Sequence, residues 1–120
     1  MDTPGGENVI RHVRSDAVAV GARELRRSFA VTASSLMDDW PVDSLAALDE
    51  ERLDRLLAMR PDVILLGTGD HQQQLPPALL YRALAQGIGV EVMTNAAAAR
   101  TYNLLLAENR HVLAAFILPA

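Results

Sequence analysis

Hydrophobic and polar positions change their period near the middle of this chain. "DVILLGTG" (62–69), "IGVEVM" (88–93) and "HVLAAFIL" (111–118) are short, nearly continuous apolar runs. The first has the pattern of a strand buried on both faces, and the other two read as further strands. Longer segments with three- and four-residue apolar spacing precede each run. "SLAALDEERLDRLLAMR" (44–60) holds a helix near 49–60, with Leu53, Leu56 and Leu57 as its buried stripe. Asp49 is its N-cap, and Glu50 and Glu51 sit at the positive end of its dipole. Pro61 stops it. "PPALLYRALAQG" (76–87) predicts a second helix, with proline in the first turn and Gly87 at the C-terminal cap. "NAAAARTYNLLLAEN" (95–109) predicts a third, with Asn95 as N-cap.

The first half reads differently. "VIRHVR" (9–14) is a strand, and 17–34 is a hairpin of two extended runs around "GARE", with Gly21 easing the turn. "MDDWPV" (37–42) is a loop, because Pro41 keeps Trp40 out of the helical region. Residues 1–8 read as loose. The class is therefore α/β: a sheet covered by helices, with a β-rich N-terminal half. Right-handed crossover logic makes the strands at 62–67 and 88–93 parallel. A length of 120 residues predicts one domain, 1–120.

Composition narrows the chemistry. The chain has no cysteine, which excludes disulfides, thiolate catalysis and Cys-bound zinc. All eleven basic residues are arginine, so Schiff-base and P-loop lysine chemistry are also excluded. The net charge of -4 argues against nucleic acid as a partner. No apolar run is long enough for a membrane span, and the acidic N-terminus is not a signal peptide. The expected compartment is the cytoplasm. His12, His71 and His111 lack metal-ligand spacing, so neither a metal nor another cofactor is expected.

Two stretches carry candidate chemistry. Gly67, Thr68 and Gly69 follow a buried strand, where backbone N–H groups can face an anion. Without a Walker lysine or GxGxxG, this loop reads as a structural turn or as a weak anion cradle. In "AAAARTYN" (96–103), the small alanines let a helix approach a sheet closely. Arg100 and Asn103 then share a face, with Tyr102 on the opposite side. An arginine shielded in this way needs a partner. Glu91, on the preceding strand, is the first choice for a bidentate clamp. The other reading gives Arg100 to an unidentified protein partner or a small anionic ligand.

"PDVILLGTG", "LPPALLYRALAQGIGVEVM" and "AAAARTYNLLLAENRHVLAAFIL", at these separations, resemble a small domain family of bacteria and archaea. That family includes the mitochondrial complex I (NADH dehydrogenase) assembly factor three. The resemblance covers residues 61–118 clearly. It implies a three-layer α/β domain around a mixed central sheet, and protein contacts rather than an established reaction. Thr94, Asn95 and Ala99 stand where the family pattern has Asp, Thr and Cys, so a thiol mechanism is impossible here. The leading expectation is a non-enzymatic binding or assembly module. The alternative is an enzyme or sensor holding a small anion between residues 67–72 and 94–100. The expected site comprises Gly67, Thr68, Gly69, Glu91, Asn95, Arg100, Tyr102 and Asn103.

Overall fold

A strand made entirely of apolar residues needs a cover on both faces. The computed structural model, which describes residues 7–119, places such a strand at the centre of the chain. In chain order the strands are β1 (Ile10–Arg14), β2 (Ala17–Val20), β3 (Arg23–Leu25), β4 (Phe29–Val31), β5 (Leu36–Met37), β6 (Val63–Gly67), β7 (Gly89–Met93) and β8 (Val112–Phe116). The helices are α1 (Glu50–Leu57), α2 (Pro77–Leu84) and α3 (Asn95–Ala107). Five strands form a mixed sheet in the order β5-β4-β8-β6-β7. β6 pairs in parallel with β7 on one side and β8 on the other, from Val63↔Gly89 and Val63↔Val112 to Gly67↔Met93 and Gly67↔Phe116. β4 runs antiparallel to β8.

Side chains alternate across this sheet. Ile64, Leu66, Leu113 and Ala115 face a core built with α1, α2 and Trp40. Val63, Leu65, Val112, Ala114 and Phe116 face α3 and the inner side of a three-stranded sheet, β1-β2-β3. The three layers are thus two helices, the mixed sheet, and α3 together with the small sheet. Ala98 and Ala99 are buried in the second core, and α3 packs against β6, β8 and β1. The alanine run therefore serves the close approach that its small side chains predict.

Several boundaries differ from the sequence reading. The hairpin is confined to β2 and β3, with Gly21 at φ 56° in the turn. The chain then leaves that sheet, and β4 joins the main one, because Phe29 stacks on Phe116 at 5.1 Å. Met37 is not in a loop but pairs with Ala30. Of the residues read as loose, 1–6 lie outside the described residues. Asn8 is tied down: its side-chain amide donates to Thr32 O (3.0 Å) and Ser35 O (3.2 Å). α1 ends at Leu57, earlier than expected, because Arg60 turns to φ 54° ahead of Pro61.

α1 and α2 are tied by charge. Arg82 of α2 donates Nε and Nη2 to the two carboxylate oxygens of Asp54 on α1, each at 2.8 Å, and lies 3.4 Å from Glu50. The guanidinium fork holds the Asp54 carboxyl below its ordinary pKa. A depressed carboxylate contributes stability above its unfolded pKa and loses it as pH falls through the folded one. Asp54→Asn should therefore lower the melting temperature near neutral pH. The gap to wild type should close in acid, below the ordinary carboxylate range. A gap that persists unchanged below that range would contradict the pairing.

Candidate functional site

α2 covers one face of the main sheet and α3 the other. The chain therefore winds in opposite directions from β6, and the carboxyl ends of β6 and β8 flank the switch point where α/β sheets usually bind ligands. Here that crevice holds the Asn95 side chain. Its Oδ1 accepts the Gly69 N–H at 3.1 Å, and its Nδ2 donates to Ile117 O at 3.1 Å. The Asn95 N–H donates to Gly69 O at 2.8 Å. One partner is a donor and the other an acceptor, and the two ends of the amide meet both. Asn95 is 2% exposed.

This arrangement corrects the expected helix start. The N-cap of α3 is Thr94, whose Oγ1 accepts the Ala97 N–H at 3.2 Å. Asn95 is the first helical residue, because its amide is already engaged by the two strand ends. The arrangement also explains Gly67. A Cβ there would overlap Asn95 Oδ1 and approach Asn95 Cα to 3.2 Å. Gly69 adopts φ 96°, a conformation that favours glycine.

The amides of the Gly67–Gly69 loop are consequently not free to cradle an anion. The Thr68 N–H donates to Met93 O at 2.9 Å, and the Gly69 N–H is held by Asn95. The Thr68 hydroxyl donates to His71 O at 2.7 Å.

The Arg-Thr-Tyr-Asn stretch also has structural work. Asn103 Oδ1 accepts the Ile10 N–H at 3.0 Å, and its Nδ2 donates to Ile10 O at 2.8 Å. It replaces a strand neighbour along the open side of β1. Tyr102 is fully buried, and its hydroxyl donates to Asn8 O at 2.6 Å. Burial, with Glu7 adding negative charge nearby, pushes its phenol well above the ordinary tyrosine pKa. Arg100 corrects the sequence reading: it is exposed on the outer side of α3. Glu91 is exposed as well, and among the described residues the two form no ion pair. Asn103 turns toward β1, while Arg100, three residues earlier, lies far enough round the helix to clear it.

Sequence reasoning missed two features. Trp40 is a core anchor, 1% exposed, donating Nε1 to Arg52 O at 3.1 Å. On the outside, Tyr81, Leu84 and Leu104 are large apolar side chains left in solvent. Their signal was present in the helical spacing: Tyr81 and Leu84 fall off the stripe made by Leu79 and Ala83. A hollow of about 220 Å³ lies beside Ser28, Trp40 and Leu118, with Arg27, Asp39 and Asp43 at its wall. Among the described residues, no three His, Asp or Glu side chains gather as a metal would need, and no helix is long and apolar enough to cross a membrane.

Residues 10–117 match the family described as "Protein of unknown function (DUF498/DUF598)". The chain belongs to that family. A similar relative is the "13 kDa major membrane protein" of Francisella tularensis, 40% identical over 72 residues, covering 59% of this chain and 58% of that one. Another is the "NADH dehydrogenase [ubiquinone] 1 alpha subcomplex assembly factor 3" of Xenopus tropicalis, 35% identical over 82 residues, covering 67% of this chain and 45% of that one. The chain thus spans about half the length of these curated relatives. The solution structure of a Xanthomonas campestris protein superposes with a TM-score of 0.87 at 42% identity, covering 98% of this chain and 89% of that one. Within this family the α/β fold is shared, and the amide wedge is what shapes the carboxyl end of this member's sheet.

Gly67→Ala should cost at least about 1–3 kcal/mol, the range for forcing atoms into a packed site. Asn95→Ala should cost about 1–3 kcal/mol for each backbone group it strands. Chemical denaturation measures both. A Gly67→Ala protein as stable as wild type would mean that Asn95 does not occupy the crevice.

Proposed function

We propose that this chain is a non-enzymatic protein-binding module that helps assemble a larger complex, acting in the cytoplasm. The observation that carries this reading is a contrast. The crevice where a ligand would bind is filled by the chain's own Asn95. Large apolar side chains stand outside instead: Tyr81 is 69% exposed, Leu84 57% and Leu104 60%. Exposed tyrosine, here on α2, and arginine, here on α3 beside Leu104, are side chains enriched among the anchors of protein contacts. The Xenopus relative's name, an assembly factor, points the same way.

In this reading Arg100 and Leu104, one helical turn apart on α3, contact the partner directly, and Glu91 contributes a charge at the sheet edge. Gly67, Thr68, Gly69, Asn95, Tyr102 and Asn103 contribute by holding α3 and β1 in place. The competing reading, a small anion held between the Gly67–Gly69 loop and Arg100, would need loop amides that are already bonded and an arginine that stands in solvent.

Arg100→Ala and Leu104→Asp should each leave stability within about 0.5 kcal/mol of wild type, as surface substitutions do. Both should reduce recovery of a recurrent co-purifying protein when the tagged chain is captured from its host. Equal recovery by wild type and both variants would remove α3 from the binding face.

A further inference from the structure

Among the described residues the main sheet ends at β7, and no strand pairs with its outer edge. Alternate residues of a strand turn their backbone groups to opposite sides. Met93 O accepts the Thr68 N–H from the β6 side, so Gly89, Glu91 and Met93 face β6, while Val90 and Val92 face outward. Among the described residues, one of those outward groups is covered: Gln72 Nε2 donates to Val92 O at 3.1 Å. Among the described residues, the Val90 N–H, Val90 C=O and Val92 N–H have no partner.

The side chains beside this edge differ between its two faces. Val90 and Val92 join the core under α2. Arg82 turns one flank of α2 toward Asp54 of α1. At 3.6 residues per turn, Leu80 and Leu84 fall on the opposite flank, above the open edge, and Leu84 is 57% exposed. Glu91 points to the other face of the sheet. It is exposed and in no ion pair among the described residues.

We infer that β7 accepts an extended segment of a partner protein as a sixth strand, one alternating apolar residues toward Leu80 and Leu84 with basic residues toward Glu91. This rests on the protein-binding reading above and names the shape and charge of the partner. A helix would leave the open N–H and C=O groups of β7 unmet, whereas a strand meets them through its own backbone. A second copy fits poorly, because two β7 strands paired about a two-fold axis bring Glu91 against Glu91, and like charges across strands repel. A basic residue of a different protein reverses that sign.

The test uses two short acetylated, amidated peptides, Lys-Val-Lys-Val-Lys-Val-Lys and its glutamate counterpart, titrated into isotope-labelled full chain and followed by amide chemical shifts and hydrogen exchange. The lysine peptide should slow exchange at the Val90 and Val92 amides, and the glutamate peptide should not. Glu91→Arg should reverse the preference. Val90→Pro removes an outward N–H that β6 does not use, so the β6–β7 ladder should survive, at a lowered melting temperature because Val90 also packs under α2, and binding should be abolished. If Val90→Pro fails to fold, the Glu91→Arg reversal decides. No protection of β7 by the lysine peptide, or a peptide preference unchanged in Glu91→Arg, overturns the inference. Should a host partner still be captured by Glu91→Arg at the wild-type level, the binding module stands and β7 is not its docking edge. If wild type itself captures no recurrent partner, the module reading fails with it.

Discussion

The carboxyl end of this sheet depends on one amide. Asn95 spans the β6 and β8 ends, taking the N–H of Gly69 and giving to the carbonyl of Ile117. Both backbone groups are otherwise cut off from strand partners, and a buried unpaired group is costly. The wedge fixes what surrounds it: Gly67 has no room for a side chain, Gly69 takes a positive φ, and capping of α3 passes to Thr94. α3 is thereby seated over β6 and β8, where Ala98 and Ala99 let it lie close. From that seat Tyr102 and Asn103 reach back to Asn8 and Ile10 and hold the small N-terminal sheet.

A switch point closed from within changes where function can reside. In an open α/β sheet the crevice is concave and lined with free backbone donors. Here the Thr68, Gly69 and Asn95 amides are already bonded, and exposed apolar side chains stand on the outside of α2 and α3. Charge follows the same division. Arg82 and Asp54 tie helix to helix, whereas Arg100 and Glu91 remain at the surface. A module that presents side chains from rigid elements, rather than enclosing a substrate, fits that distribution.

What the sequence reveals follows from how local the cause is. Val63–Gly67 and Val112–Phe116 are legible because double burial makes the whole segment apolar. Asp49 is legible as a cap because its target, the Arg52 N–H, is three residues away. The role of Asn95 is not legible, since its partners lie 26 and 22 residues off and are brought to it only by the sheet. The same holds for Arg82, whose carboxylate is 28 residues distant on another helix. Arg100 misleads for a related reason. A helix face shared with Asn103 suggests shielding, but the β1 strand that occupies Asn103 approaches at Ile10 and leaves Arg100 in solvent. Ala98 and Ala99, with Tyr102 and Asn103 after them, thus serve to seat a helix, and Arg100 is left over for the surface.

Hydrogen exchange at the Gly69 amide tests the wedge most directly. This amide sits in a loop, where exchange is ordinarily fast. If Asn95 holds it, its protection should approach that of the β6 amides and collapse in Asn95→Ala while the β6 amides stay protected. Fast exchange at Gly69 in the wild-type chain, or protection that survives Asn95→Ala, would contradict the account.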